Sequence, residues 1–252
     1  MLRALALFLV LTFTANAEEV VLGMSQTQVS ITTNFDGSEI FIFGAVKREK
    51  AIPTGDLLQV IVAIRGPSEP ITVRRKEKRF GIWINTDAVE VDEAPSFYAV
   101  ATSAPLDDVL TATEDLRYKI TIPQAIRSVG APMTVADSQS FTDALIRVRT
   151  ANNLFQLNEG SVELSEETLF KTSIAMPANL TEGEYGTHIY LTRSGKVISE
   201  YETTIDVRKV GLERWLYTLS RQQPLIYGLL SLAIAIISGW GAAAIFSGLR
   251  RN

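Results

Sequence analysis

Residues 225–249 have the sequence LIYGLLSLAIAIISGWGAAAIFSGL, a stretch without a charged side chain that is followed directly by Arg250 and Arg251. As an α-helix at ~1.5 Å per residue, such a stretch extends ~37 Å, which exceeds the ~30 Å hydrocarbon core of a bilayer. It therefore predicts a transmembrane helix at residues 225–249 and a short tail at residues 250–252.

The N-terminus contains a second membrane signal. Arg3 precedes an apolar stretch at residues 4–13, and Ala15-Asn16-Ala17 matches the small-residue pattern of a signal-peptidase site. Because this apolar stretch is about half the length of a membrane span, it is typical of a cleavable secretory signal rather than a retained helix. The sequence predicts a signal peptide at residues 1–17 and a mature chain that begins at Glu18.

A cleaved signal and one C-terminal stop-transfer helix together predict an exported body and a cytoplasmic tail at residues 250–252. Arginine and lysine residues flank the helix on both sides, so their distribution alone does not orient it. The signal peptide sets the orientation, because an exported domain of this size crosses the membrane largely regardless of its charge.

The composition is that of an ordinary folded domain. The chain has 24 Lys and Arg against 28 Asp and Glu, a formal net charge of −4, which argues against nucleic acid as a partner. It contains no cysteine, which excludes a disulfide framework, a thiolate metal site and a cysteine nucleophile. The exported part is long enough for one large or two small domains.

The first half of the exported part is rich in β-branched and aromatic stretches separated by turn residues. These stretches lie at residues 27–32, 39–46, 57–65, 71–75, 80–85, 88–91 and 97–102. Short strands at this spacing are typical of antiparallel sheets packed as a sandwich. We therefore predict a mainly β fold of one or two immunoglobulin-like β-sandwich domains, the first at residues 18–104.

A second β-sandwich block is predicted at residues 116–209. It begins with a strand at 118–122, and a helix follows at 138–149 whose spacing places Phe141, Leu145 and Val148 on one face. Further strands are predicted at residues 161–164, 169–175, 185–192 and 197–207.

Two turns of this block have recognisable chemistry. Arg193-Ser194-Gly195-Lys196 predicts a hairpin turn in which Gly195 accepts a positive φ. Tyr185 opens a strand after a turn cluster, like the tyrosine corner of immunoglobulin-like sandwiches, whose phenol bonds to an upstream backbone group. That likeness concerns architecture and predicts no function.

Residues 211–222, between the second block and the span, predict an amphipathic helix. Leu212, Trp215, Leu216 and Leu219 share one face, and Trp215 suits the headgroup zone of a bilayer. We interpret the segment as an interfacial helix at the membrane surface; the alternative is a helix packed on the second domain.

Small side chains recur at every fourth position of the predicted span, at Ser231, Ala235, Gly239, Ala243 and Ser247. Such a row lets a second helix approach closely. Trp240 lies near the middle of the span, where its indole N–H lacks a partner in pure lipid. This face indicates contact with a multi-span membrane protein; the alternative is that small residues are simply common in membrane helices and that Trp240 contacts lipid.

No residue pattern points to catalysis, a cofactor or a metal ion. His188 is the only histidine, and its place in a predicted strand indicates a half-exposed structural side chain. The acidic pairs Asp107-Asp108 and Glu166-Glu167 fall in predicted turns, where solvated carboxylates and helix caps are the ordinary explanation. We predict no catalytic, cofactor-binding or metal-binding residue.

The densest charge feature is Arg74-Arg75-Lys76-Glu77-Lys78-Arg79, which leads into Phe80 and Trp83. Arg74, Arg75, Lys76, Lys78 and Arg79 are candidates for contact with anionic headgroups or an acidic partner. The alternative is the solvated tip of a hairpin.

Nine short motifs, taken in their order along the chain, make the sequence resemble a known family. They are Arg65-Gly66-Pro67, Val73-Arg74-Arg75-Lys76-Glu77, Gly81-Ile82-Trp83-Ile84-Asn85, Pro95-Ser96-Phe97-Tyr98-Ala99-Val100, Ala144-Leu145-Ile146-Arg147, Pro177-Ala178-Asn179, Lys209-Val210-Gly211, Leu225-Ile226-Tyr227-Gly228 and Gly239-Trp240. The chain resembles the uncharacterised alphaproteobacterial family of transmembrane proteins. The resemblance implies a bacterial inner-membrane protein with a periplasmic body, associated with sulfite-exporter-type permeases, beside whose genes members tend to be encoded.

Two functions from different classes fit these observations. The first is a non-catalytic periplasmic protein that acts as an accessory or interaction subunit of a membrane transporter. The second is a membrane-anchored hydrolase or carbohydrate-modifying enzyme that uses carboxylates. The lack of histidine and cysteine chemistry favours the first, whereas a concave pocket with two facing carboxylates would favour the second.

Overall fold

The computed structural model describes residues 18–32, 35–48, 55–128 and 137–249, with residues 212–214 and 244–249 described by their backbone alone. The predicted signal peptide at 1–17 and the predicted tail at 250–252 lie outside the described residues. The chain divides into two units, one within Met1–Val29 and Asp36–Val207 and the other within Ser30–Phe35 and Arg208–Asn252.

The described residues form twelve strands and six helices, numbered in chain order. The strands are β1 Glu19–Met24, β2 Gln28–Ile31, β3 Ser38–Lys47, β4 Leu58–Arg65, β5 Ser68–Arg79, β6 Ile82–Pro95, β7 Tyr98–Thr102, β8 Phe155–Asn158, β9 Glu163–Ser165, β10 Leu169–Met176, β11 Gly183–Arg193 and β12 Lys196–Lys209. The helices are α1 Leu106–Val109, α2 Ala112–Tyr118, α3 Ile122–Ala125, α4 Gln139–Ala151, α5 Leu212–Gln222 and α6 Pro224–Leu249.

Two sheets and one long hairpin account for these strands. A four-stranded sheet has the order β1-β3-β10-β9, and a six-stranded sheet has the order β2-β12-β11-β4-β7-β8. Strands β7 and β8 pair in parallel, whereas β4 pairs with both its neighbours antiparallel. Strands β5 and β6 pair with each other as a separate ribbon. The predicted mainly β, sandwich-like fold is confirmed.

The division into two β blocks, 18–104 and 116–209, does not match this pairing. Strand β3 of the first block pairs with β10 of the second, and β4 pairs with β11. Because strands of both blocks are neighbours within each sheet, neither block can complete its sheets alone. The two blocks therefore form one body, and the segment between them at 104–116 contains helices rather than a linker.

The six-stranded sheet has apolar side chains on both faces, which explains the continuous apolar sequence of β4. On one face the strands pack against α1–α4 and the base of the ribbon, in a cluster that includes Ile61, Ala63, Val91, Val100, Val109, Ile120, Leu145 and Phe155. The alternate β4 side chains Val60, Val62 and Ile64 are fully buried as well. Each such side chain stabilises the fold by about 1.5–3 kcal/mol relative to exposure.

The predicted strand at 118–122 is wrong. Tyr118 is the last residue of α2, and Lys119 has a left-handed conformation that ends the helix. The Asp115 carboxylate then accepts hydrogen bonds from the backbone N–H groups of Ile120 and Thr121, at 3.1 and 2.8 Å. Ile120 is fully buried. The apolar stretch around it is therefore a short connection between two helices, stabilised by the Asp115 carboxylate, and not a strand.

The helix predicted at 138–149 is present as α4, with one difference on its apolar face. Phe141 and Leu145 are buried, but Val148 is 54% exposed. Strands β1 and β8 have no counterpart among the predicted strands; β1 lies directly after the predicted signal peptide, and β8 has only four residues.

The two turns predicted from the sequence are both present. Ser194 and Gly195 have positive φ angles of 48° and 72° between β11 and β12. The Tyr185 hydroxyl donates a 2.7 Å hydrogen bond to the backbone oxygen of Thr181, and burial raises the pKa of this phenol. A Cβ on Gly66 would lie 2.9 Å from the Tyr185 ring. The close approach of the ring to the backbone therefore requires a glycine at position 66.

The Tyr185→Phe variant should lower the free energy of unfolding by about 1 kcal/mol, because the part-buried hydrogen bond to the Thr181 oxygen is lost while the ring keeps its packing. Denaturant unfolding of the purified chain measures this difference. Tyr201→Phe is the matched control. Tyr201 is half-buried, and its hydroxyl makes no hydrogen bond with the described residues. Equal stability of the two variants would contradict a tyrosine corner.

Candidate functional site

Helix α6 is the feature that defines the class of this protein. Among the described residues it supplies the one helix long and apolar enough to cross a membrane, at Pro224–Ala243, and none of that segment is buried in the protein. An apolar helix that packs on no core of its own chain requires lipid or another membrane protein around it. A β body followed by such a helix defines a single-pass membrane-anchored protein.

The small-residue face of α6 is open along its described length. The Ser231 hydroxyl donates to the Tyr227 backbone oxygen at 2.9 Å, so its polar group is satisfied within the helix. A Cβ built on Gly239 would meet no atom within 4 Å, and Ala235 and Ala243 are exposed. Trp240 is 84% exposed. The Ser247 side chain lies outside the described residues.

The predicted amphipathic segment at 211–222 is helical, as α5. Trp215 and Tyr217 are exposed, and the Arg221 guanidinium lies 5.7 Å from the centre of the Tyr217 ring. Leu216 and Leu219 are half-buried. An aromatic and cationic surface of this kind suits the boundary between water and headgroups.

The basic segment Arg74–Arg79 belongs to the β5–β6 ribbon, and its five cations have different surroundings. Arg75 is bound to the body: its guanidinium donates to Ser140 Oγ at 2.6 Å and lies 4.6 Å from the centre of the Phe141 ring. Arg79 pairs with Glu77 at 3.3 Å. Arg74, Lys76 and Lys78 make no ion pair with the described residues.

The end of this ribbon, which we call the hairpin tip, comprises residues 76–85. Cross-strand pairing places Lys78 opposite Trp83 and Lys76 opposite Asn85 on one face. Phe80 and Gly81 form the turn. The large apolar side chains Phe80, Ile82 and Trp83 are all exposed, so the predicted basic feature is also an apolar one.

A largely buried ion-pair cluster, with side chains 9–19% exposed, connects the start of the described chain to the body. One Glu18 oxygen, Oε1, accepts from Arg48 at 2.8 Å and from Arg193 at 2.9 Å. Arg193 also donates to Glu167 at 3.3 Å, and Arg48 donates to the Glu167 backbone oxygen. The cluster was not predicted, because its members are up to 175 positions apart and share no sequence motif.

The arginines determine the charge state of Glu18. Burial of the carboxylate would raise its pKa, but the hydrogen bonds and charges of Arg48 and Arg193 outweigh burial and hold the pKa below its ordinary value of 4.5. Glu18 is therefore ionised at neutral pH and connects the start of β1 to Arg48, which follows β3, and to Arg193, the last residue of β11.

His188 is a half-exposed strand residue, as predicted from the sequence. Its ring stacks on Tyr190 with centres 6.0 Å apart, and Nδ1 lies 3.2 Å from Glu200 Oε1. Within the described ranges, no group of three or more histidine and acidic side chains is placed to hold a metal ion.

Two grooves lie on the body. The first, of about 950 Å³, is formed by the ends of α4, β8 and β10, and Asp36 is the one carboxylate among its described lining residues. The second, of about 530 Å³, lies on the outer face of the four-stranded sheet and is lined by Val21, Phe43 and Leu169. The Phe43 ring covers Gly23, where a Cβ would lie 2.4 Å from it.

The chain belongs to the family described as "Putative transmembrane protein (Alph_Pro_TM)", whose model matches residues 19–248. The resemblance seen in the sequence motifs is thereby confirmed. No curated protein matches the chain. Among solved structures, it is similar to the sporulation control protein Spo0M from Bacillus subtilis with 10% identity and a TM-score of 0.27, over 82% of this chain and 56% of that chain. A TM-score this low carries no argument about fold or function.

The Glu18→Gln variant should lower the free energy of unfolding by about 1–3 kcal/mol at neutral pH, because two buried arginines lose their ionised acceptor. Since the native pKa is lowered, the contribution of Glu18 is fully present above pH 4.5 and is lost as the pH falls below that value. Chemical unfolding at neutral and acidic pH measures the difference from wild type.

Glu19→Gln is the matched control, since Glu19 is exposed and pairs only with the exposed Lys47; it should cost less than about 0.5 kcal/mol. Mass spectrometry verifies that both variants have the same mature N-terminus. A deficit of Glu18→Gln that persists undiminished at acidic pH would contradict the ion-pair account.

Proposed function

We propose that this chain is a non-catalytic, inner-membrane-anchored periplasmic protein that serves as an accessory or interaction subunit of a membrane transporter. The family match over residues 19–248 and the exposed apolar helix α6 support the membrane anchor. The proposal that the transporter is a sulfite-exporter-type permease rests on the resemblance alone, through the gene neighbourhood of family members.

The orientation proposed places the β body in the periplasm and residues 250–252 in the cytoplasm. It is supported by the signal-peptide pattern at residues 1–17 and by the stop-transfer character of 225–249. In this arrangement α5, just before the span, lies at the periplasmic surface of the bilayer. Exposed Trp215 and Tyr217 suit the headgroup zone there.

The observation that carries the proposed interaction is the open small-residue face of α6. Gly239 has free space around its Cβ position, and exposed alanines lie one turn on either side of it. Helices in membranes associate where small residues let backbones approach, because lipid provides no hydrophobic drive for association. Exposed Trp240 beside this face adds a large side chain whose N–H requires an acceptor.

A carboxylate-dependent hydrolase, the alternative drawn from the sequence, requires two carboxylates facing each other in one pocket. Among the described residues that line the two grooves, Asp36 is the one carboxylate. No specific contact therefore favours the enzyme, and we do not propose it.

Gly239→Leu should reduce co-purification of the multi-span partner by tenfold or more, because the larger side chain prevents close approach of a second helix. Its insertion into the membrane should be unchanged, since leucine is more apolar than glycine. Quantitative mass spectrometry of chain purified in mild detergent measures the partner.

Gly241→Leu is the matched control. It is the same chemical change two positions along, about 200° around the helix, and Gly241 also has no atom within 4 Å of its Cβ position. We expect this variant to retain its partner. Equal partner recovery in wild type and both variants would mean that α6 is an anchor only.

A further inference from the structure

The hairpin tip at residues 76–85 exposes more apolar surface than a solvated turn needs. Phe80 is fully exposed at the turn, and Trp83 and Ile82 beside it are 68% and 65% exposed. The ribbon is attached to the body at its other end, where Val89 and Val91 are buried. The tip itself therefore has no packing role in the described body.

Phe80 also occupies a backbone position that does not suit it. Its φ angle is 50°, followed by 88° at Gly81, the combination of a tight hairpin turn in which asparagine or glycine is preferred at the first position. A bulky residue at positive φ is an outlier that lowers local stability. The side chain is thus placed at the outermost point of the ribbon against the conformational preference of the backbone.

Lysine side chains lie beside these apolar groups. Lys78 is directly opposite Trp83, and Lys76 is opposite Asn85 on the same face. Neither lysine makes an ion pair with the described residues, whereas Arg79 is paired with Glu77 on the other face. One face of the tip therefore combines an amphipathic indole with uncompensated positive charge.

We propose that the hairpin tip binds an anionic phospholipid surface, with Phe80 and Trp83 in the headgroup zone and Lys76 and Lys78 beside lipid phosphates. Tryptophan is favoured at that depth, and basic side chains near apolar anchors add attraction to anionic lipid. A bilayer is deformable, so it can accept the protruding Phe80 side chain without a preformed pocket.

A second copy of the chain fits this surface poorly. A symmetric contact between two tips would place the same lysines against each other, and like charges at close range oppose association. An acidic protein remains as the competing occupant, and the experiment below separates it from lipid. The inference is independent of the transporter subunit proposed above, since it concerns a different part of the chain.

The experiment uses the full chain with Trp83 as its sole tryptophan, through Trp215→Phe and Trp240→Phe. The chain is reconstituted in bilayers of phosphatidylcholine, or of phosphatidylcholine with phosphatidylglycerol, that contain brominated lipid. Separate vesicles of the same two compositions are added to chain held in unbrominated phosphatidylcholine nanodiscs. The lipid that could quench Trp83 is thus either the bilayer that holds the chain or a separate vesicle. In at least one of these two arrangements, we expect lipid with phosphatidylglycerol to quench Trp83 fluorescence. We expect no quenching by phosphatidylcholine alone.

Phe80→Asn makes the test independent of misfolding. Asparagine accepts the turn conformation better than phenylalanine, so the unfolding midpoint should stay the same or rise while lipid affinity falls about tenfold or more. Lys76→Gln and Lys78→Gln should each reduce affinity about fivefold. Lys196→Gln, which changes an exposed lysine at the start of β12, should leave the affinity unchanged.

Three results would overturn the proposal. One is the absence of Trp83 quenching in anionic lipid in both arrangements. Another is undiminished binding of the Phe80→Asn chain. The third is crosslinking of the tip to an acidic membrane protein combined with no binding to protein-free anionic vesicles, which would assign the tip to that protein instead.

Discussion

The body of this protein depends on backbone pairing between its two halves. Strands β4 and β11 form an eight-pair antiparallel ladder from Arg65–Gly186 to Leu58–Arg193, and β3 pairs with β10 in the other sheet. These ladders bring the arginine at the end of β11 to the start of β1, where it meets Glu18. The core and the ion-pair cluster both require this pairing of distant segments.

Local patterns predicted the strands well and their partners poorly. Turn chemistry identified the β11–β12 hairpin and the Tyr185 corner because both depend on neighbouring residues. Local patterns could not decide between one and two β domains, because the pairing of β3 with β10 joins strands that are far apart in the sequence. The false strand at 118–122 arose because an apolar stretch gives no sign that Asp115 will bind the following N–H groups. Which cations of 74–79 are paired also depends on contacts across the fold.

Two apolar surfaces of the described chain are available for interaction. Helix α6 and the hairpin tip each present apolar side chains that no described residue of their own unit covers. In contrast, the titratable groups with shifted pKa values, such as Glu18 and Tyr98, are held in structural contacts.

We propose that one apolar helix anchors the β body on the periplasmic side of a membrane. Because the native chain has no cysteine, single cysteines report topology without background. In cells with a permeabilised outer membrane, a membrane-impermeant maleimide should label Lys196→Cys and should reach Asn252→Cys only after the inner membrane is lysed. Labelling of Asn252→Cys before the inner membrane is lysed, with Lys196→Cys protected, would contradict the account.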